Sequence, residues 1–334
     1  MVAAARLPGV SAISDYALLG DTRTAALVSS AGAVDWMCAP RFDSEPIFGR
    51  LVGGPEAGSF MVGPAHPGAR LIRRGYVSGS TVVEASWSTA AGLLTVRDGL
   101  VSHVDQGLSP TTLLVREVHA TGGPVPVDVC FDPRLGAARR RPRAEHRRGA
   151  LVCSWGSLAV ALTGADPGLE PGITRRLSVE PGRPLVLALA VADREPLVYV
   201  DPPRAIAALS RTEVEWRAWW EALPDLGPFH DLVARSLLTL RLLTYAPSGA
   251  PVAAPTTSLP EDKGGARNWD YRYAWPRDAS LGIGAFLDAA RDHEAEAFMY
   301  WLLYAGRLDR PRLPVVLTLD AVSYTHLTLP TILR

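Results

Sequence analysis

Residues 24–37 read Thr-Ala-Ala-Leu-Val-Ser-Ser-Ala-Gly-Ala-Val-Asp-Trp-Met. Two short apolar runs, Thr24–Ser29 and Val34–Met37, flank a Ser-Ala-Gly-Ala sequence. This arrangement is typical of a β-hairpin, because small residues and glycine accept the backbone conformations of a tight turn. The sequence therefore predicts a pair of antiparallel strands near its start.

The same strand-like pattern continues to about residue 203. Further short apolar or alternating runs, separated by Gly and Pro, are Ser59–Val62, Thr81–Ser88, Leu93–Val96, Thr112–Val118, Val125–Cys130, Leu151–Trp155, Leu158–Leu162 and Leu185–Ala192. Many short strands at such intervals favour an antiparallel β-sandwich over alternating strands and helices. One short helix is predicted from Pro46 to Leu51, with Ser44 as its N-terminal cap.

A helical period replaces the strand pattern after residue 203. The helix-compatible stretches are a tryptophan-rich one around Val214–Leu223, one that begins at Pro228, and two at about Ala279–Ala290 and His293–Ala305. Strands first and helices afterwards indicate separate all-β and all-α domains. We predict a β-sandwich over residues 1–205, a linker helix over 206–226 and a helical domain over 227–321.

Composition argues against several classes of partner. The formal net charge is zero, so no global attraction to nucleic acid or to an anionic membrane is expected. Seven arginines between Arg134 and Arg148 have no interleaved aromatic residues, which favours a solvated hairpin loop over a nucleic-acid surface. The longest apolar run, of eight residues, is too short to span a bilayer.

The cysteines and histidines indicate neither a disulfide framework nor a metal centre. Three cysteines without a C-x-x-C spacing are typical of a reducing compartment, and the first residues do not read as a signal peptide. Seven histidines show no paired metal-ligand spacing. We therefore expect a cytoplasmic protein without a metal or another cofactor.

The most informative segment for function is residues 268–278, Asn-Trp-Asp-Tyr-Arg-Tyr-Ala-Trp-Pro-Arg-Asp. Aromatic faces stack on the C–H face of a sugar ring, while Arg and Asp make strong hydrogen bonds to its hydroxyl groups. Other interpretations stay open. Asp278 could cap a helix and Arg277 could form a surface ion pair. Core packing is an alternative for the aromatic residues, and loop support is an alternative for Asp270.

Several ordered segments resemble bacterial members of glycoside hydrolase family 15, the glucoamylase, glucodextranase and trehalase group. They are residues 18–28, 34–44, 235–240, 245–254, 256–261 and 264–279, and the resemblance covers nearly all of residues 15–310. It implies a β-sandwich followed by an (α/α)6 barrel. It also implies an exo-acting enzyme that releases glucose from the non-reducing end of an α-glucoside with inversion.

The resemblance assigns a substrate-binding role to part of residues 268–278. Arg277 and Asp278 match the family's Arg-Asp pair, which holds sugar hydroxyls beside the scissile bond. Trp275 and Tyr271 match aromatic positions of the same subsite. The possible supporting residues are Asp270, Tyr273, Trp269 and Asn268.

Inverting hydrolysis needs two carboxyl groups about 6.5–9.5 Å apart, one acid and one base. In the family both are glutamates that lie well beyond the Trp-x-Arg-Asp segment, and nothing in this chain aligns with them. A double ring of twelve helices needs roughly 200 residues, whereas 108 follow from Gly227 onward. We therefore expect an inactive fragment with an incomplete barrel, and a non-native tail at residues 322–334.

The residues leave the ligand and the type of activity open. Trehalose and malto-oligosaccharide are both compatible with the matched segments. A non-catalytic carbohydrate-binding module is one alternative function. A phosphorylase on the same two-domain plan, in which phosphate replaces water, is another.

Overall fold

A computed structural model describes residues 12–102, 109–257, 268–308 and 314–322. Within these ranges, fifteen strands precede the helical half of the protein. In chain order they are β1 (Tyr16–Gly20), β2 (Ala25–Ser29), β3 (Ala33–Cys38), β4 (Pro46–Phe48), β5 (Ser59–Pro64), β6 (Arg70–Tyr76), β7 (Val83–Thr89), β8 (Gly92–Leu100), β9 (Thr112–Thr121), β10 (Val125–Asp132), β11 (Arg143–Arg147), β12 (Ala150–Trp155), β13 (Leu158–Thr163), β14 (Thr174–Val179) and β15 (Leu185–Asp193).

These strands form two antiparallel sheets that face each other. The first sheet has the order β1-β2-β3-β5-β10-β14, with β4 paired to β3, and the second has the order β11-β12-β13-β15-β9-β8-β7-β6. One hydrophobic core takes residues from both sheets. Within it the rings of Phe60 and Phe131 meet edge to face at 5.2 Å. The predicted antiparallel β-sandwich is confirmed.

The hairpin predicted from residues 24–37 forms as β2 and β3. Ala26 pairs with Met37, and Leu27 pairs with Trp36. Gly32 in the turn has a φ of +84°, and a Cβ atom there would lie 2.2 Å from the carbonyl oxygen of Val62. Both the backbone conformation and the close approach of β5 therefore require glycine at this position.

The short helix predicted from Pro46 to Leu51 is wrong. Pro46–Phe48 is strand β4, which pairs with β3, and the helix α1 covers only Arg50–Gly53. Ser44 does not cap it, because its hydroxyl group accepts a hydrogen bond from the Arg41 amide at 3.1 Å. Pairing with a neighbouring strand thus overrides the local helix signal.

Part of the predicted arginine-rich loop is also a strand. Arg143–Arg147 forms β11 at the edge of the second sheet, and all five of its residues are exposed. The prediction of a solvated segment therefore holds, but its backbone pairs with β12. Charged side chains on an edge strand oppose pairing with another molecule.

A fully buried arginine links the two sheets. Arg116 on β9 forms an ion pair with Asp98 at 2.8 Å within the second sheet. It also donates to the carbonyl oxygen of Phe60 on β5 at 2.6 Å and to that of Gly32 in the β2–β3 turn at 2.7 Å, both on the side of the first sheet. The guanidinium group therefore links the two sheets through hydrogen bonds inside the protein.

The helical half begins with α2 (Pro202–Glu221) and continues with α3 (His230–Leu242). After the two-residue strands β16 (Thr244–Tyr245) and β17 (Ala250–Pro251) come α4 (Pro276–Asp288) and α5 (Asp292–Leu308). In the part of the chain that the structure describes, no helix is both long and apolar enough to cross a membrane.

Helix α2 joins the two halves of the protein. Its N-terminal cap is Asp201, whose carboxylate accepts the Arg204 amide at 2.9 Å. Its first half packs on the second sheet through Ala205 and Leu209, and its second half packs on α3 and α4. The predicted order, an antiparallel sandwich followed by a helical region, is confirmed. The domain boundaries and the (α/α)6 arrangement stay predictions.

Candidate functional site

The candidate sugar-binding segment is held by a short antiparallel contact with residues 253–257. The amide of Ala254 donates to the Tyr271 carbonyl oxygen at 2.9 Å, and the amide of Ala253 donates to that of Tyr273 at 3.2 Å. Thr257 and Asp270 form a further β-bridge. Helix α4 follows immediately, so the segment enters the helix from a fixed direction.

Arg277 and Asp278 lie in the first turn of α4. The N-terminal cap is Trp275, and no side chain makes a capping hydrogen bond, so the interpretation of Asp278 as the cap is wrong. The two charged groups are 3.4 Å apart, with side-chain exposures of 83% for Arg277 and 42% for Asp278. Within the described ranges, the guanidinium group of Arg277 makes no ion pair with any other carboxylate. The cationic donor of Arg277 and the anionic acceptor of Asp278 therefore lie side by side, and both are accessible to solvent.

Trp275 lies at the centre of a small aromatic cluster. Its ring centroid is 5.8 Å from that of Tyr271 and 6.3 Å from that of Trp269, in tilted and edge-to-face arrangements. Its indole N–H donates to the Asp270 carbonyl oxygen at 3.2 Å. All three rings, with Tyr273 and Asn268, are half-buried. The cluster thus combines mutual packing with partly accessible faces.

Asp270 is buried and its carboxylate is occupied. Arg272 donates to Oδ1 at 2.9 Å and to Oδ2 at 2.7 Å, and the Arg272 amide also donates to Oδ1. A bidentate pair of this kind fixes both side chains. In this geometry the carboxylate supports the loop and does not reach outward for a ligand.

Arg272 is a residue of the site that the sequence reasoning missed. Its Nη1 atom donates to the carbonyl oxygen of Ser44 at 2.7 Å and contacts Cys38 Sγ at 3.4 Å. Burial raises the pKa of the Cys38 thiol to about 11, so this sulfur is a neutral partner. The indole N–H of Trp36 similarly donates to the Pro255 carbonyl oxygen at 2.8 Å. The sandwich therefore holds the candidate segment at Arg272 and the adjoining residues 253–257 at Pro255, and no local spacing could have revealed these contacts.

A cavity of about 160 Å³ adjoins the candidate residues. Trp275 and Asp278 line it and Arg277 does not, and most of its wall is apolar side chains from α3, α4, α5 and residues 243–253. Glu294 also reaches this cavity, but its Oε1 atom accepts hydrogen bonds from Trp219 at 2.7 Å and Arg291 at 3.1 Å. Of its two carboxylates, Asp278 is the more exposed one.

Two protein-family models match most of the chain. The family model described as "Trehalase-like, N-terminal" matches residues 8–187, and the model described as "Glycosyl hydrolases family 15" matches residues 227–307. The second match includes the Arg277–Asp278 pair.

Trehalases are similar to this chain over most of its length. Those of Mycobacterium tuberculosis and Mycolicibacterium smegmatis are each 33% identical over 87% of this chain, and that of Thermoplasma volcanium is 26% identical over 87%. The chain spans about half the length of these curated relatives, 46%, 47% and 47% respectively.

One solved structure resembles this chain more weakly than the trehalases do. A putative kojibiose phosphorylase from human microbiome aligns with 93% of this chain and 50% of its own, at a TM-score of 0.44 and 10% identity. That similarity is too low to bear on function.

The family assignment rests on the sequence matches. The first model alone covers more than half of the 334 residues, and the second continues in the order that the fold shows, strands before helices. The chain belongs to the family of the trehalase-like N-terminal domain, joined here to a segment of glycosyl hydrolase family 15.

Proposed function

We propose that this chain belongs to a trehalase-type glycoside hydrolase and binds the glucose unit at the non-reducing end of an α-glucoside. The single observation that carries the proposal is the side-by-side placement of Arg277 and Asp278 at the start of α4. A cationic donor next to an anionic acceptor suits vicinal hydroxyl groups, since one can donate while the other accepts.

The surroundings of this pair support the proposal. Trp275 precedes Arg277 by two positions, lines the same cavity as Asp278, and packs against Tyr271. An aromatic wall beside charged hydrogen-bonding groups matches a glucose ring, which has C–H groups on its faces and hydroxyl groups around its edge. Asp278 also lies in the first turn of α4, at the positive end of the helix dipole.

Within the proposed reaction, these residues hold the sugar and do not transfer protons. An inverting hydrolase protonates the leaving oxygen with one carboxylic acid and activates water with a carboxylate on the opposite face. We assign neither role to a described residue. Arg277 and Asp278 would fix the glucose unit, so that the two carboxyl groups meet the scissile bond in the right geometry.

Trehalose is the proposed ligand, because the curated relatives are trehalases. Malto-oligosaccharide is the alternative ligand, since both substrates end in an α-linked glucose unit. We further propose that residues 227–321 begin an (α/α)6 domain, that residues 1–205 form the sandwich domain, and that the protein works in the cytoplasm.

Binding and turnover of trehalose test the proposal together. Trehalose should give a saturable change in tryptophan fluorescence, maltose a weaker one, and cellobiose, which has a β-linkage, none. Binding without turnover is the expected result for this chain, because none of the matched segments contains the family's catalytic glutamates. A chain whose fluorescence responds to none of the α-glucosides would overturn the proposal.

If the chain does turn over trehalose, product analysis in the same experiment separates hydrolysis from phosphorolysis. Glucose formed without phosphate supports the hydrolase. Glucose 1-phosphate formed only when inorganic phosphate is present supports the phosphorylase alternative and contradicts the proposal.

A further inference from the structure

One side of α5 carries a stripe of side chains that the described part of the protein leaves uncovered. This α5 stripe recurs every three or four positions along one face of the helix and consists of Glu296, Met299, Tyr300, Leu303, Tyr304 and Arg307. All six residues are exposed, Tyr300 by 71%. The opposite side of the helix packs inward through Ala295, Phe298 and Trp301. The stripe therefore has an apolar and aromatic centre and an opposite charge at each end.

The charges at the two ends of the α5 stripe are not neutralised by neighbours. Among the described residues, the ion pairs of this helix are those of Glu294 with Arg241 and Arg291, and neither Glu296 nor Arg307 forms one. The two groups are also too far apart to pair with each other. Eleven positions of helix separate them by about 16 Å, whereas helical ion pairs form three or four positions apart. Both charges are therefore available to a partner.

The order of residues in the α5 stripe makes it complementary to itself. Two copies of α5 that lie antiparallel about a two-fold axis midway between positions 301 and 302 place Glu296 of one copy opposite Arg307 of the second copy. The same axis brings the residues between them into contact, in the pairs Met299–Tyr304 and Tyr300–Leu303. Every pair then occurs twice, as in any two-fold interface. A parallel arrangement would place Glu296 on Glu296 and Arg307 on Arg307, where like charges repel, so the charges favour the antiparallel one.

We propose that the α5 stripe is a docking surface for a second copy of this chain, in an antiparallel two-fold dimer. Apolar and aromatic side chains bury one another at its centre, and the two pairs of Glu296 with Arg307 set the orientation. Six side chains from each copy make a small interface, so the dimer should be weak and reversible. The stripe shares no residue with segment 268–278, and its test is therefore independent of the proposed function.

Charge reversal tests this dimer, with sedimentation equilibrium at several protein concentrations as the measurement. Glu296→Arg alone should raise the dissociation constant about tenfold, because it places two arginines opposite each other at both ends of the interface. Arg307→Glu alone should have a similar effect, because it places two carboxylates opposite each other. An equal mixture of the two variants should restore association, since each end of the mixed dimer then has one arginine and one glutamate.

The matched controls are Glu195→Arg and Arg194→Glu, the same reversals at exposed positions that follow β15. Both should leave the dissociation constant unchanged, and thermal melts of all variants establish that each is folded. A wild-type chain that stays monomeric at every concentration overturns the proposal. So does association that is unchanged in the folded single variants, which would indicate undirected apolar contact, or association that the mixture fails to restore.

Discussion

Arg272 Nη1 donates a hydrogen bond to the carbonyl oxygen of Ser44 at 2.7 Å, across 228 positions of sequence. The same guanidinium group holds both oxygens of Asp270. The loop that carries the candidate sugar-binding residues is therefore built against the sandwich and is not an independent feature of the helices.

Breaking this contact should destabilise the whole chain. Arg272→Ala leaves the buried carboxylate of Asp270 without its partner, which typically costs about 3–5 kcal/mol of unfolding free energy. Asp270→Ala should cost a similar amount, and the double variant should cost clearly less than the sum. Urea denaturation measures all three.

The matched control for Arg272 is Arg175→Ala, which breaks the more exposed pair with Asp166. Its denaturation midpoint should remain close to that of the wild type. Strictly additive effects of Arg272→Ala and Asp270→Ala would contradict the coupling that the geometry implies.

The inter-sheet arginine gives a second stability prediction. Arg116→Met keeps an apolar side chain of comparable length but leaves Asp98 buried and unpaired, with two carbonyl oxygens that have lost a donor. We expect a loss of about 3 kcal/mol or more, seen as a lower urea midpoint. Arg176→Met, on the exposed pair with Asp128, is the control. Equal midpoints for the two variants would show that Arg116 does not link the sheets.

The buried carboxyl group of Asp21 should make the free energy of unfolding depend on pH. Burial raises its pKa to about 6, although the amides of Thr24 and Arg23 donate to the carboxylate and oppose the shift. A carboxyl group whose pKa is raised by folding stabilises the folded state fully below the unfolded value, near 4. That contribution is lost as the pH rises through about 6, and it amounts to about 3 kcal/mol.

Asp21→Asn should remove this dependence, because the amide does not ionise and its oxygen can still accept the two backbone hydrogen bonds. The difference in unfolding free energy between wild type and variant should therefore change between pH 4.5 and pH 7.5, in favour of the variant at the higher pH. Asp193→Asn, at an exposed position, should show no such change. A difference that is independent of pH for Asp21→Asn would refute the assignment.

The exposed apolar face of the helical half predicts self-association. On α5, Tyr300 is 71%, Tyr304 60% and Leu303 55% exposed, and on α4 Leu281 is 74% exposed. Faces of this kind mark interaction sites or aggregation liabilities. Sedimentation velocity should show concentration-dependent association, and Leu303→Lys with Tyr304→Lys should reduce it.

Ile72→Lys, at a 59% exposed position on β6, is the control for that effect. It should leave the association unchanged. A monodisperse wild-type monomer that melts cooperatively would rule out the predicted role of the α5 face.

The sequence predicted the buried strands well and the exposed ones poorly. Runs such as Leu185–Ala192 are recognisable because their apolar side chains fill the core, and the structure has β15 at Leu185–Asp193. Strands β6 and β14 are mostly exposed, and arginines make up three of seven and two of six of their residues, so neither a long apolar run nor an alternation marks them. Their pairing is decided by neighbouring strands that are distant in the sequence.

Only part of the candidate site could be predicted from the sequence. Arg277, Asp278 and the aromatic residues could be named from a single short segment. The contacts of Arg272 with Ser44 and of Trp36 with Pro255 could not, because each joins residues more than 200 positions apart.

The most direct test of the central claim is a trehalose titration of wild type, Arg277→Ala and Asp278→Ala, followed by tryptophan fluorescence. Arg307→Ala, an exposed arginine on α5, is the matched control. Loss of one charged hydrogen bond should weaken binding about 10-fold to 100-fold in each site variant and leave the control unchanged. Affinities for trehalose that are equal in all four proteins would contradict the assignment of Arg277 and Asp278 as the residues that hold the sugar.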